Sequence, residues 1–392
     1  MTGHRAAFAA ACLGMLLFGV TLTTLGAVLP PLIARYGLEK ADAGSLLALM
    51  SLGILAGSLV FGPVVDRFGY RLVLIAGALG VGLGLVAIAG APSPAWLRPA
   101  MLVFGCGGGL LNGATNALVA DITPERRESG LAMLGVFFGI GAFGVPLVLG
   151  LLLERATYTT IVGGLALLVV VPLADFLAVR FPPPKQAQGF PLRRVGALLG
   201  DAPLLLVGLL LFFQSGMEIT LGGWSAQYVR EVLGLSEERS ILVLSLFWVG
   251  MVVARLVLTR SLHLLSPATV FPAFLVVALA GTGLLLAVRS TATASVGLFL
   301  LGFGLAAGFP ILLGFLGGLY RDLTGTAFSA VFVMALIGGS ALSYLTGVLG
   351  DRQGLRASLV VVPIGLLAQG LLFGLLRRRL GTTTTEPDLS RN

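Results

Sequence analysis

The sequence predicts an all-α membrane protein, twelve transmembrane helices in two six-helix bundles, and three observations lead there. Of its 392 residues 57% are hydrophobic and 11% are charged, against roughly 25% charged in a soluble domain, and the mean hydropathy is +1.02. Apolar runs of about 20 residues, enough to cross a hydrocarbon core of about 30 Å as helix, follow one another along the whole chain and leave no room for a soluble domain. One long polar interruption, RFPPPKQAQGFPLRRVGALLGD at 180–201, holds four of the 19 prolines and leaves six runs on either side.

In order, span one (6–32) starts after His4 and Arg5, and span two (43–65) stops at Asp66 and Arg67. Span three (72–91) runs from Arg71 to Pro92, span four (99–120) from Arg98 to Asp121, and span five (131–153) from Arg127 to Glu154. Span six (160–179) ends at Arg180, span seven (203–229) lies between Asp201 and Arg230, and span eight (240–258) between Arg239 and Arg260. Span nine (267–288) opens on a proline and stops at Arg289, span ten (294–319) stops before Arg321, span eleven (326–349) before Asp351, and span twelve (357–376) runs from Arg356 to Arg377. The divisions are therefore an N-terminal bundle (1–180), a linker (181–202), a C-terminal bundle (203–378) and a tail (379–392). Gly, with 56 residues, suits spans whose backbones approach closely. A β-barrel would show short alternating segments instead of long unbroken runs.

With the N-terminus inside, 16 of the 25 Lys and Arg fall on cytoplasmic segments, Arg255 at the inner end of span eight counted among them, as the positive-inside rule asks. An even number of spans returns the C-terminus to the cytoplasm, and the expected location is the inner (plasma) membrane. The net charge of +8 then reads as topology and contact with anionic lipid, not as a nucleic-acid surface. The expected partners are the bilayer and a small-molecule solute, with the chain a monomer. The long first span reads as retained and not as a signal peptide. Cys12 and Cys106 lie inside spans as packing residues, and 192–199 reads as a short basic helix on the inner leaflet or an ordinary charged loop.

Between spans two and three stands FGPVVDRFGYR, 61–71, whose second-half echo is GMVVARLVLTR from Gly250. Gly105-Cys106-Gly107 in span four likewise matches Gly302-Phe303-Gly304 in span ten. The halves read as repeats related by an axis along the membrane normal. The pattern Gly62, Asp66, Arg67, Gly69 and Arg71 at this place resembles the major facilitator superfamily over essentially the full chain. That resemblance implies two bundles that rock about a central site, with a cytoplasmic gate at Asp66, Arg67, Gly69 and Arg71. It sets Asp66 against the start of span eleven near Thr324 to Thr326, where a helix dipole favours a carboxylate. In the echo the Asp position is Ala254 and Arg255 keeps the basic half.

Glu218 is the one acidic residue in the middle of a span. A charge there costs at least ~2.5 kcal/mol, so it should face the interior and be protonated, paired or ion-bound. Gln214, Glu218 and Ser225 fall close to one face of span seven, with Trp224 and Gln227 flanking. Asn112 and Asn116 in span four stand at i, i+4; they line a solute site or bond between helices, and Thr21 and Thr24 bond between helices. Trp248, in mid-span away from the interfacial belt, stacks on a sugar ring or packs helices, whereas Trp96 beside Arg98 is an anchor. SGMEITLGGWSAQYVREVLGLS, followed by FWVG and Arg255, resembles the fucose-permease-like branch of the superfamily, which includes sugar symporters. Its implied marks are Glu218, Gly222, Gly223 and Trp224. Spans one and four lack the mid-span acids of proton-coupled members near that branch, so Glu218 acts alone on H+, Na+ replaces the proton, or transport is uniport.

GCGGG at 105–109 lacks the Lys-Ser or Lys-Thr of a phosphate loop, and no nucleophile elbow, metal motif or cofactor motif occurs, so an enzyme embedded in the membrane is the reading from another class that loses. The rival within carriers is an exporter of drug-like or lipid-like amphiphiles by proton antiport, but span five, GIGAFGVPLVLG at 139–150, lacks its Gly-Pro signature. Pro146 and Pro310 are expected to bend spans five and ten. The sequence thus points to a carrier of a small polar solute, a sugar foremost, with Asn112, Asn116, Gln214, Glu218, Trp224, Gln227 and Trp248 lining the site, Glu218 as proton site and Arg255 with the gate.

Overall fold

The structure, a computed structural model, describes residues 2–38, 40–152, 155–186, 192–235 and 237–383. Among the described residues it is helical with no strand, and twelve helical segments are long and apolar enough to cross a membrane. They are His4–Leu29, Ser45–Phe68, Tyr70–Gly90, Pro94–Ile122, Arg127–Leu149, Tyr158–Ala178, Ala202–Leu233, Leu242–Ser261, Pro267–Leu286, Thr291–Leu319, Arg321–Gly350 and Leu355–Arg379, spans one to twelve below. Helix continues past the apolar runs, for instance over Thr2–Tyr36 and Ala202–Leu233, because backbone hydrogen bonding does not stop where hydrophobicity does. Leu192–Leu199 is a helix with Arg193 and Arg194 exposed and Leu198 buried. The middle of the linker and the end of the tail lie outside the described residues.

Two spans are interrupted by proline in a way the chemistry explains. Span ten is two helices, Thr291–Leu305 and Gly308–Leu319; Pro310 has no N–H to offer the carbonyl of Ala306, four residues back. Span six breaks at Val169, three residues before Pro172. Span five, by contrast, is continuous helix over Arg127–Leu152, and the side chain of Pro146 lies outside those described.

The chain divides into two compact units, 1–192 with 317–329, and 193–316 with 330–392. In the first, spans two and four share a seam of backbone contact, where a side chain on Gly53 would collide with Leu102 O and Cys106 N and one on Gly105 with Met50 O. In the second, spans eight and ten repeat it, with Gly250 against Phe299 O and Phe303 N and Gly302 against Phe247 O. The Gly105–Gly302 match therefore holds in packing, whereas Gly250 is the counterpart of Gly53 and not of Gly62. This corrects the sequence echo by nine residues: 13 residues past each seam glycine stand Asp66 and His263, and Arg255 corresponds to Ser58. GCGGG is this seam. Thr21 and Thr24 bond the carbonyls of their own helix at Leu17 and Val20 rather than a neighbour. Cys12 and Cys106 are free thiols.

Candidate functional site

In the first unit the 66–71 turn is tied at Asp66, Tyr70 and Arg71. Asp66 is buried, and its carboxylate accepts from the N–H groups of Gly325 (3.2 Å) and Thr326 (2.8 Å) and from Thr326 Oγ1 (2.6 Å). It caps the helix Thr324–Gln353 from another segment, satisfying first-turn N–H groups that have no partner within the helix. Gly62 lets the chains approach, since a side chain there would overlap Gly325 O, and Ser329 Oγ donates to the carbonyls of Ser58 and, at 2.8 Å, Leu59. Gly69, at φ 83°, makes the turn into span three, in a region that only Gly enters without strain. Arg71 donates to Leu177 O, whereas Arg67 is exposed beside the Phe68 ring at 5.5 Å.

Sequence reasoning missed the other half of this cluster. Lys185 of the linker donates to Asp121 Oδ1 at the end of span four (2.7 Å) and to Thr324 Oγ1 (2.8 Å), and Tyr70 donates to the other Asp121 oxygen. Gln186 closes the ring by donating its N–H to Asp66 O (2.8 Å) and its amide to Asp322 O (3.1 Å). One signal was available: Lys185 is one of only two lysines in the chain. A single ammonium reaches between a carboxylate and a hydroxyl in a way the planar guanidinium fork does not.

In the second unit the structure gathers some of the expected solute residues and disperses others. Gln214 donates to Glu218 Oε1 (2.6 Å) and to Leu305 O (2.7 Å), the last carbonyl before the break in span ten. Gln369 of span twelve, also unforeseen, is fully buried and donates to Gln214 Oε1 (3.0 Å) and Leu210 O (3.1 Å). Arg255 is buried and interacts electrostatically with Glu218, so it belongs with this cluster and not with a second copy of the 66–71 turn. Trp248 is 37% exposed, stands edge-on to Phe247 and lies against Gly222, one turn along span seven from Glu218.

Trp224 turns away, donating from its indole to Ser343 of span eleven at 3.1 Å to the carbonyl and 3.2 Å to the hydroxyl. Gln227 is exposed and bonds Glu231 at 2.7 Å; at 13 residues from Gln214 it has rotated some 220° around the helix. Neither joins Glu218. In the first unit Asn116 is buried and folds back onto Asn112 O (2.8 Å) and Oδ1 (3.1 Å), leaving Asn112 half-buried. No group of metal-binding side chains occurs among the described residues.

The family model of the Major Facilitator Superfamily matches residues 11–343. The chain belongs to this superfamily. It is a transporter, not an enzyme. A curated relative, an uncharacterized transporter of Sinorhizobium fredii, is 25% identical over 90% of this chain and 93% of its own. The 4-hydroxybenzoate transporter of Pseudomonas aeruginosa is 30% identical, over 31% of this chain and 27% of its own. Among solved structures, the E. coli fucose:proton symporter superimposes with a TM-score of 0.75 at 19% identity, covering 96% of this chain and 99% of its own. At that identity the likeness is one of fold.

Proposed function

We propose that this carrier moves a small polar solute, a sugar foremost, by alternating access, with Glu218 as the site of a coupling proton or, in its place, Na+. The observation that carries the reading is the line Glu218, Gln214 and Gln369 ending at the Leu305 carbonyl where span ten breaks, with Arg255 facing Glu218. Charge and hydrogen-bonding groups buried in spans mark solute and ion pathways, and such groups bond hydroxyls while the half-exposed Trp248 stacks on a ring face. The cluster at Asp66 is the gate on the cytoplasmic side, with both termini in the cytoplasm and the chain a monomer in the plasma (inner) membrane.

Counterflow in proteoliposomes, after a thermal-shift screen of sugars, nucleosides, organic acids and dyes, tests the solute. Stabilisation by dyes or lipids alone would overturn the sugar reading. For the proton, Glu218→Gln is expected to keep solute binding and exchange yet lose accumulation driven by a pH gradient; accumulation that survives the substitution removes Glu218 from coupling.

A second reading has its own observation. Buried Arg255, two turns along span eight from Trp248 and so on the same face, suits an aromatic acid, its carboxylate on the guanidinium and its ring on the indole. The relative named for 4-hydroxybenzoate transport lends it support. In the same screen, stabilisation by 4-hydroxybenzoate without stabilisation by sugars selects it.

A further inference from the structure

We propose that Gln214 is the positioning residue through which the state of Glu218 reaches the break in span ten. The inference rests on the reading of Glu218 as a group whose charge or partner changes during the cycle. A glutamine amide has two N–H bonds to give, and Gln214 directs them to Glu218 Oε1 at 2.6 Å and Leu305 O at 2.7 Å. Its own oxygen accepts from Gln369 at 3.0 Å, which fixes which end of the amide faces Glu218. Leu305 ends the first helix of span ten, so its carbonyl stands at the end of the regular ladder and takes a side-chain donor.

The second helix of span ten is shaped around the same amide. It opens at Gly308, and a side chain there would overlap the Gln214 amide at its Cδ and Oε1 atoms. The break is thus held on one side by a hydrogen bond from Gln214 and on the other by contact with it. Gln369 Oε1 is buried with no donor among the described residues, so the cluster holds an acceptor for the amide or a solute to turn toward. Among the helices packed on this stretch, the charged group that faces Glu218 is Arg255 of span eight.

A charged carboxylate holds an N–H about twice as strongly as a neutral acceptor. When Glu218 takes a proton, or turns to a solute donor, the Gln214 bond to it weakens, and the amide is left to Leu305 and Gln369. Leu305 and Gly308 then move as the amide moves. This gives two discrete arrangements of one hydrogen-bonded element, which is what coupling between two places in a protein requires.

The test needs no solute. In a background with Cys12 and Cys106 replaced by Ser, a reporter Phe309→Cys beside the break is labelled with a maleimide in purified protein. Glu218→Gln is expected to change the labelling rate by about fivefold or more where Gln214 is present, and by less than about twofold in Gln214→Leu. An equal response in both backgrounds, or no response in either, overturns the proposal. Should Gln214→Leu fail to fold, Gly308→Ala displaces the amide without deleting it. Loss of the response in Gly308→Ala supports the proposal and a full response overturns it. A wrong solute or a missing proton would show in counterflow and leave the labelling result standing, so the two failures are distinguishable.

Discussion

Met50 O meets Gly105 in the first half and Phe247 O meets Gly302 in the second, with Gly53 and Gly250 completing each seam against the same two positions of the partner span. On this shared frame the two halves hang their charges at different depths. Past the first seam comes Asp66, buried and capping the helix that starts at Thr324; at the same distance past the second stands His263, exposed and on a turn. At the second seam itself lies Arg255, buried near Glu218, where the first half has Ser58. The two halves thus share the part that needs backbone-to-backbone contact and differ in the rest. One copy carries a capped helix start at a span end, and the other a buried Arg255 that interacts electrostatically with Glu218 of the neighbouring span.

The seam makes the harshest test of that equivalence. Gly105→Val and Gly302→Val each force a side chain into a carbonyl, and overpacking of this kind costs about 1–3 kcal/mol or more. Both are expected to lower thermal stability steeply and by comparable amounts; a large loss from one alone would break the pairing of the seams. Next in size is the charge beyond the seam. Asp66→Asn removes the negative charge facing a helix start while keeping the side chain's shape, and transport is expected to fall about tenfold with expression little changed. His263→Asn, the counterpart, is expected to leave uptake within about twofold. A strong effect at His263 would make the turn after the second seam a working part like the first.

How much of this was legible follows from spacing. The spans and the 66–71 turn are local patterns and are readable, as is Glu218 as an acid in an apolar run. The partners of each group come from far along the chain: Lys185 meets Asp121 across 64 residues, and Gln369 meets Gln214 across 155. No periodicity within one helix announces such pairs. Trp224 and Gln227 flank the Glu218 face in the sequence as candidate lining residues, yet 100° per residue carries both away from Glu218 itself. The register slip at Gly250 arose because Val-Val-x-Arg is a weak match in a chain this rich in Val, whereas the seam is decided by which carbonyl a missing side chain must admit.

Lys185 offers a sharper, smaller test of the clasp on the first half. Lys185→Met leaves Asp121 without its cation and Thr324 without its donor, a loss of about 1 kcal/mol. Transport is expected to fall roughly fivefold, and Lys185→Arg is expected not to restore it, since the guanidinium fork cannot bridge the two acceptors as an ammonium does. Full rescue by Arg would reduce the clasp to simple charge. Measuring uptake at low and high ionic strength on the same vesicles adds a check, because a contact this sheltered, 25% and 12% exposed at its two side chains, should be screened less than a surface pair.

The smallest effect is expected at Arg67, and it separates two arginines that the sequence placed in one class. Arg255 is buried beside an acid within its span, whereas Arg67 is exposed at the end of span two with its guanidinium near the Phe68 ring. An exposed cation–π contact contributes about 0.5–1 kcal/mol, and attraction of one basic side chain to an anionic leaflet about 1 kcal/mol. Both act on how the span end sits at the membrane surface and not on the bonds that hold Asp66. Arg67→Gln is therefore expected to keep uptake within about twofold in vesicles of neutral lipid and to lose whatever stimulation anionic lipid gives the parent protein. Comparing the two variants across a series of phosphatidylglycerol contents reads this directly. If Arg67→Gln abolishes transport in neutral lipid, Arg67 is a working part of the turn like Asp66, and exposure is not what distinguishes it from Arg255.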